Sequence, residues 1–236
     1  MKSNQSGFTL IEIAIVLVII GLLLGGVLKG QELINSARVK NLATDFKNIP
    51  VYIYGYQDKF RALPGDDGAA ASHVIGATAA TTNGTVSNGV IEGLWGSVGN
   101  GDESYLFWQH IRLAGLAPGS TTVGAVDYLP TNATGGTIGI QSGTSCTAAG
   151  APLASCVAGF LTPIKDSANN AIRGSYVICS SAILGKFVKQ LDLQMDDGNT
   201  ASGSMMAMPV GSAAATSATA TAAVDDAASY TVCMGV

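Results

Sequence analysis

Residues 8–28 are apolar at almost every position, with Glu12 the one charged side chain inside the run. At about 1.5 Å per residue, a helix over such a stretch is ~31 Å long, which matches the hydrocarbon thickness of a bilayer. Apolar residues then recur as Val39, Leu42, Phe46, Ile49, Ile53, Tyr56 and Phe60. Steps of three and four draw one stripe down a helix, and Arg38, Lys40, Asn41, Lys47 and Asn48 fall on the opposite face. Gly25, Gly26 and Gly30 weaken the helix where the apolar run ends, each by about 1 kcal/mol relative to alanine. Pro50 removes one backbone hydrogen bond and predicts a bend, but the stripe keeps its register across it, so both halves read as one helix. A coiled coil would draw a similar stripe; the short repeat and its proline favour packing onto the chain's own sheet. Pro64 and Gly65 predict a stop near Ala62.

The remaining pattern is shorter in period. Residues 69–101 are rich in Ala, Thr, Asn and Gly and read as a long loop with one short strand or buttress around Val90, Ile91, Leu94 and Trp95. A second helix is predicted over 103–114, with Asp102 as N-cap and Gly115 past its last turn. Its Trp108 and His110 read as core or rim rather than as a ligand site. Short β-favouring runs at 137–140, 159–162, 175–179, 204–210 and 229–234 predict an antiparallel sheet. Ile183, Leu184, Phe187, Val188 and Leu191 have helical spacing and end in Asp196-Asp197-Gly198, which predicts a third helix. Residues 212–223 are nearly all Ser, Ala and Thr and read as a flexible excursion. The expectation is an α+β fold: a long N-terminal helix, half in membrane and half packed on an antiparallel sheet, followed by a loop-rich C-terminal domain.

Charge adds an orientation. The seven residues before the apolar run carry Lys2 and no acid, which keeps the short end cytoplasmic and sends the long end across. No A-x-A-like site follows Leu28, so any cut falls ahead of the apolar run. A net charge of −4 with 12% charged residues leaves no basic footprint for general nucleic-acid binding. No G-x-S-x-G, H-E-x-x-H or phosphate loop is present, and His73 and His110 have no obvious triad partners, so the expectation is a protein that is not an enzyme.

The stretch Gly7-Phe8-Thr9-Leu10-Ile11-Glu12 resembles the prepilin leader junction of type IV pilins and type II secretion pseudopilins. The match lies at the glycine, the aromatic and the glutamate five places after the cut. Three further segments resemble parts of uncharacterised bacterial prepilin-type proteins: Phe60 to Asp67, Phe107 to Leu116 and Leu191 to Gly198. Glycines stand where many major pilins have a proline in the membrane span.

The resemblance implies that a prepilin peptidase cuts between Gly7 and Phe8 and methylates the new amino terminus of Phe8. It divides the chain into a leader at 1–7, a transmembrane and assembly helix at 8–28, its continuation at 29–63 and a globular domain at 64–236. An acid within lipid costs a few kcal/mol, which an ammonium from an arriving neighbour partly offsets, so Glu12 is expected to set register against a second subunit's Phe8 amine. Implied partners are other pilin subunits, the peptidase, an inner-membrane platform protein and an assembly ATPase. The implied location is the inner membrane with a periplasmic C-terminal domain, then an extracellular or periplasm-spanning fibre. A pseudopilin that moves secreted cargo, or a minor pilin with an adhesive or DNA-capturing tip, are the alternatives.

Four cysteines lie beyond the membrane side, and an even count in an exported domain favours disulfides, with three connectivities open. Cys146 with Cys156 flanks a short loop; Cys179 with Cys233 joins a central strand to the last one and resembles the bridge that closes the C-terminal region of many pilins. Their spacing is poor for zinc. Asp66-Asp67, Asp102-Glu103 and Asp196-Asp197 each sit beside glycine. Asp-Gly pairs chiefly make turns. Two such pairs brought together, Asp66 and Asp67 with Asp196 and Asp197, would offer the oxygen ligands of Ca²⁺, which some secretion pseudopilins bind. No other cofactor is expected.

Overall fold

The computed structural model describes residues 10–82, 85–143 and 161–236. In chain order the elements are helix α1 (Leu10–Phe60), α2 (Ala70–His73), α3 (Glu103–Leu113), strands β1 (Ile138–Ser142), β2 (Ile164–Lys165) and β3 (Tyr176–Leu184), helix α4 (Gly185–Met195), then β4 (Met205–Pro209), β5 (Thr216–Ser217), a 3-10 turn at Thr221–Ala223, and β6 (Ser229–Gly235). Four strands form an antiparallel sheet in the order β1-β3-β6-β4, and β2 pairs with β5 in parallel. The fold is α+β and pilin-like. The chain divides into two compact units between Arg38 and Val39.

In the first unit, α1 passes unbroken through Gly21, Gly25, Gly26 and Gly30, where a Cβ would meet nothing within 4 Å. The helix is long and apolar enough here to cross a membrane, and none of its most apolar window is buried. Lys29 and Glu32 form an exposed ion pair just past the end of the apolar run, Nζ to Oε2 2.6 Å.

In the second unit the predicted stripe is the buried face of α1: Val39, Leu42, Ala43, Phe46, Ile49, Ile53 and Tyr56. The helix continues through Pro50. Val39, Leu42, Phe46, Ile49 and Ile53 share one core with Ile138 and Ile140 of β1, Ile178 and Ile183 of β3, Met205 and Ala207 of β4, and Val232 and Met234 of β6. Alternate residues of the same strands face the other way. Val177, Cys179, Met206, Met208 and Cys233 pack with Ile164 and Ile172 in a second cluster. The sheet is therefore covered on both faces, which is why β4 reads as the unbroken apolar run Met205-Met206-Ala207-Met208 rather than as an alternating one.

Helix α1 ends at Phe60, close to the expected stop near Ala62, where Arg61 adopts a left-handed φ of 56° while its amide still bonds the Gln57 carbonyl at 2.8 Å. Several expectations are corrected. The 69–101 region holds the four-residue helix α2 and no named strand among its described residues. Asp102 precedes α3 in extended geometry but its side chain makes no cap bond there; it accepts from the hydroxyls of Thr82 and Ser97. Gly115 does close α3, at φ 78°.

Ile183 and Leu184 belong to β3 rather than to the third helix, because a bulge between Ser180 and Ile183 returns Ile183 to the face shared with α1. Helix α4 begins directly at Gly185, where a Cβ would run into the Asp225 carbonyl. No strand forms at 161–162; the strand lies at Ile164–Lys165, and residues 159 and 160 lie outside the described residues. The 212–223 stretch is tied down: Ala215 is buried, the Thr219 amide donates to the Ala207 carbonyl at 2.7 Å, and Thr216–Ser217 pairs with β2.

Candidate functional site

Two sets of residues remain that packing alone does not explain. The first is the N-terminal helix. Leu10, Ile11, Ile13, Ile15, Leu17, Leu22 and their neighbours are all exposed, a contiguous apolar surface of the kind that marks an interaction or membrane site. Such a surface fits membrane anchoring. Glu12 lies in the first turn of the described helix, at the positive end of its dipole, and is exposed. Gly7 and Phe8 lie outside the described residues.

The second set comprises the acidic pairs, which the fold treats differently. Asp67 is buried and accepts from the Tyr56 hydroxyl at 2.8 Å, the His73 Nδ1 at 2.7 Å and the Ala69 amide at 2.9 Å. Asp66 accepts from the Gly89 amide at 2.7 Å and the Asn88 amide at 3.1 Å; burial nonetheless holds its carboxyl above the ordinary range. Both acids fasten the turn after α1 to the 85–92 loop and to α2. Glu103 sits nearby at the start of α3, with Oε2 accepting from the Glu92 amide at 2.8 Å and Oε1 without a partner. Burial, with Asp66 and Glu92 close by, pushes it up to about 7.

Asp196 and Asp197 are not brought to Asp66 and Asp67. They meet Asp192 instead, and one ligand oxygen from each of the three lies within 4.8 Å of the others. Asp192 is in the last turn of α4, and Asp196 follows the helix as its C-cap. Asp196 Oδ2 accepts from the Met205 amide at 2.9 Å, and Asp197 Oδ1 accepts from the Asn199 amide at 2.8 Å. Asp192 is buried, and neither of its oxygens has a hydrogen-bond partner. The Gly198 amide favours its charge weakly without completing a bond of normal geometry, while desolvation and the two neighbouring carboxylates push it up to about 7.

Sequence reasoning selected Asp196 and Asp197 and passed over Asp192. The signal was present in the spacing: Asp192 and Asp196 are four apart, which stacks them on one face at the end of a helix.

His110 and Trp108 are core residues, both buried on α3. The His110 Nδ1 accepts from the Gly65 amide at 3.0 Å and Nε2 faces the Thr78 carbonyl at 2.8 Å, so the ring is neutral and protonated on Nε2; burial lowers its pKa. Cys179 and Cys233 form a disulfide between β3 and β6. Cys146 and Cys156 lie outside the described residues.

Residues 2–28 match the family model of the prokaryotic N-terminal methylation motif. No curated protein matches the chain. No solved structure matches it.

Proposed function

We propose that this chain, whose N terminus is the prepilin-type motif of type IV pilins and pseudopilins, is a structural subunit of a type IV pilus or pilus-like fibre that acts by polymerising through α1. The motif carries this reading, and the exposed apolar half of α1 supports it. Lipid covers that surface before assembly and neighbouring helices cover it afterwards. The second half of α1 gives its apolar stripe to the sheet, so the globular unit has its own core whatever covers the first half.

In this reading a prepilin peptidase removes residues 1–7 and methylates the Phe8 amine, and Glu12 then sets subunit register. Transfer of a carboxylate from lipid becomes favourable when a neighbour's ammonium arrives within an ion-pair distance, and one residue of slippage forfeits that gain. The platform protein and the ATPase supply the work.

The test is intact mass and N-terminal sequencing of the mature chain, together with a Glu12→Ala variant. The expected mature chain starts at N-methylated Phe8. Glu12→Ala is expected to be processed normally and to be missing from sheared fibres. A mature chain that retains residues 1–7, or normal incorporation of Glu12→Ala, contradicts the reading.

A further inference from the structure

We infer that Asp192, Asp196 and Asp197 form a calcium site at the C-terminal end of α4. Their ligand oxygens lie within 4.8 Å of one another. Oxygens on opposite sides of one Ca²⁺, each at about 2.3–2.6 Å, are separated by roughly that much.

The electrostatics is otherwise hard to account for. A helix C-terminus carries partial negative charge and favours lysine or arginine, yet the last turn of α4 has no basic residue and the end gathers three carboxylates. Lys189, the nearest basic residue in sequence, is turned to Asp226 at 2.8 Å. A turn motif explains Asp196 and Asp197, each of which accepts one backbone amide. It does not explain Asp192, whose two buried oxygens complete no hydrogen bond. A buried polar group left in that state is destabilising, and more so when charged. A cation between the three carboxylates removes both problems at once.

The donor set selects the ion. All three ligands are hard oxygens with no histidine or cysteine among them, which disfavours zinc. Ca²⁺ accepts irregular oxygen shells that include loop carbonyls and water, whereas Mg²⁺ demands a near-ideal octahedron. The loop that follows is braced to hold this end in place. Thr221 Oγ donates to the Gly198 carbonyl at 3.2 Å, the Thr200 hydroxyl donates to the Thr219 carbonyl at 2.7 Å, and a Cβ at Gly203 would run into the Asp196 carboxylate.

The site lies wholly in the second unit, and the inference holds with or without the fibre reading. The experiment is thermal melting of the full chain in detergent micelles, in 5 mM CaCl₂ against EGTA and against 5 mM MgCl₂. With a dissociation constant of about 0.1–1 mM, typical of extracellular calcium modules, calcium is expected to raise Tm by roughly 2–9 °C and magnesium by far less. Asp192→Asn is expected to abolish the calcium shift and to melt higher than the wild type in EGTA, because it removes a buried charge. Asp197 is exposed and accepts the Asn199 amide, a bond an asparagine oxygen can also accept, so Asp197→Asn keeps the fold and tests the site independently; it is expected to lose most of the shift. No calcium shift in the wild type, an equal shift with magnesium, or an undiminished shift in Asp197→Asn overturns the assignment.

Discussion

Cys179 and Cys233 lie directly opposite each other on β3 and β6, their Cα atoms 4.0 Å apart, bonded on the sheet face that looks away from α1. The register of the ladder brings them together, so the bridge crosses two neighbouring central strands. It closes a loop with a sequence separation of 54, which restricts the unfolded chain more than the folded one. The Cys179→Ala/Cys233→Ala double variant is expected to lose about 2–4 kcal/mol of stability. Its Tm should fall by roughly 5–15 °C in a melting experiment, and reduction of the wild type should lower Tm similarly.

The stripe on α1 yields a contrast between neighbours. Leu42 and Ile53 are wholly buried in the core, so Leu42→Ala or Ile53→Ala is expected to destabilise the globular unit by about 2–5 kcal/mol. Val51 is 64% exposed, two residues away on the other face. Val51→Ala should stay within about 0.5 kcal/mol of wild type in the same denaturant titration. Equal losses at Val51 and Ile53 would contradict the assigned face.

Glu103 predicts a pH dependence of a definite sign. Its carboxyl titrates near 7 in the folded protein and at its ordinary 4.5 when unfolded, because burial disfavours the charge. Between those values the folded state holds a proton that the unfolded state has released, so stability falls as pH rises from about 4.5 to about 7. Each pKa unit corresponds to about 1.4 kcal/mol, which puts the loss on the order of 3 kcal/mol. Asp45, raised to about 6, acts in the same direction. Glu103→Gln is expected to flatten this part of the profile in melts at pH 5 and pH 7.5; an unchanged slope would rule out Glu103 as its source.

Gly139 tests the packing of β1. A Cβ there would overlap the Trp95 carbonyl, a backbone atom that cannot swing aside. Gly139→Ala is therefore expected to cost more than 1 kcal/mol and to lower Tm, whereas Gly89→Ser, at an open positive-φ position, should cost only local backbone strain.

The long helix was legible in the sequence because both of its signals are local. An apolar run needs only its own composition to declare a membrane helix, and the Val39 to Tyr56 stripe follows from 3.6 residues per turn, whichever surface covers it. The motif around Gly7 and Glu12 is likewise a matter of adjacent residues. Tertiary structure decided the rest. Ile183 and Leu184 have helical spacing to Phe187, but a bulge and pairing with β6 hold them in a strand. The 212–223 stretch has too little apolar surface to announce order, and acquires it from β2, Ala207 and Thr200, all distant in sequence.

Asp192 shows the division most clearly. Its spacing to Asp196 is visible in one dimension, but whether a carboxylate on that face meets water or is sealed without a completed hydrogen bond depends on which distant segments close over it. Local periodicity determined which residues lie side by side; burial, a property of the whole chain's packing, determined which of them carry an unmet chemical demand.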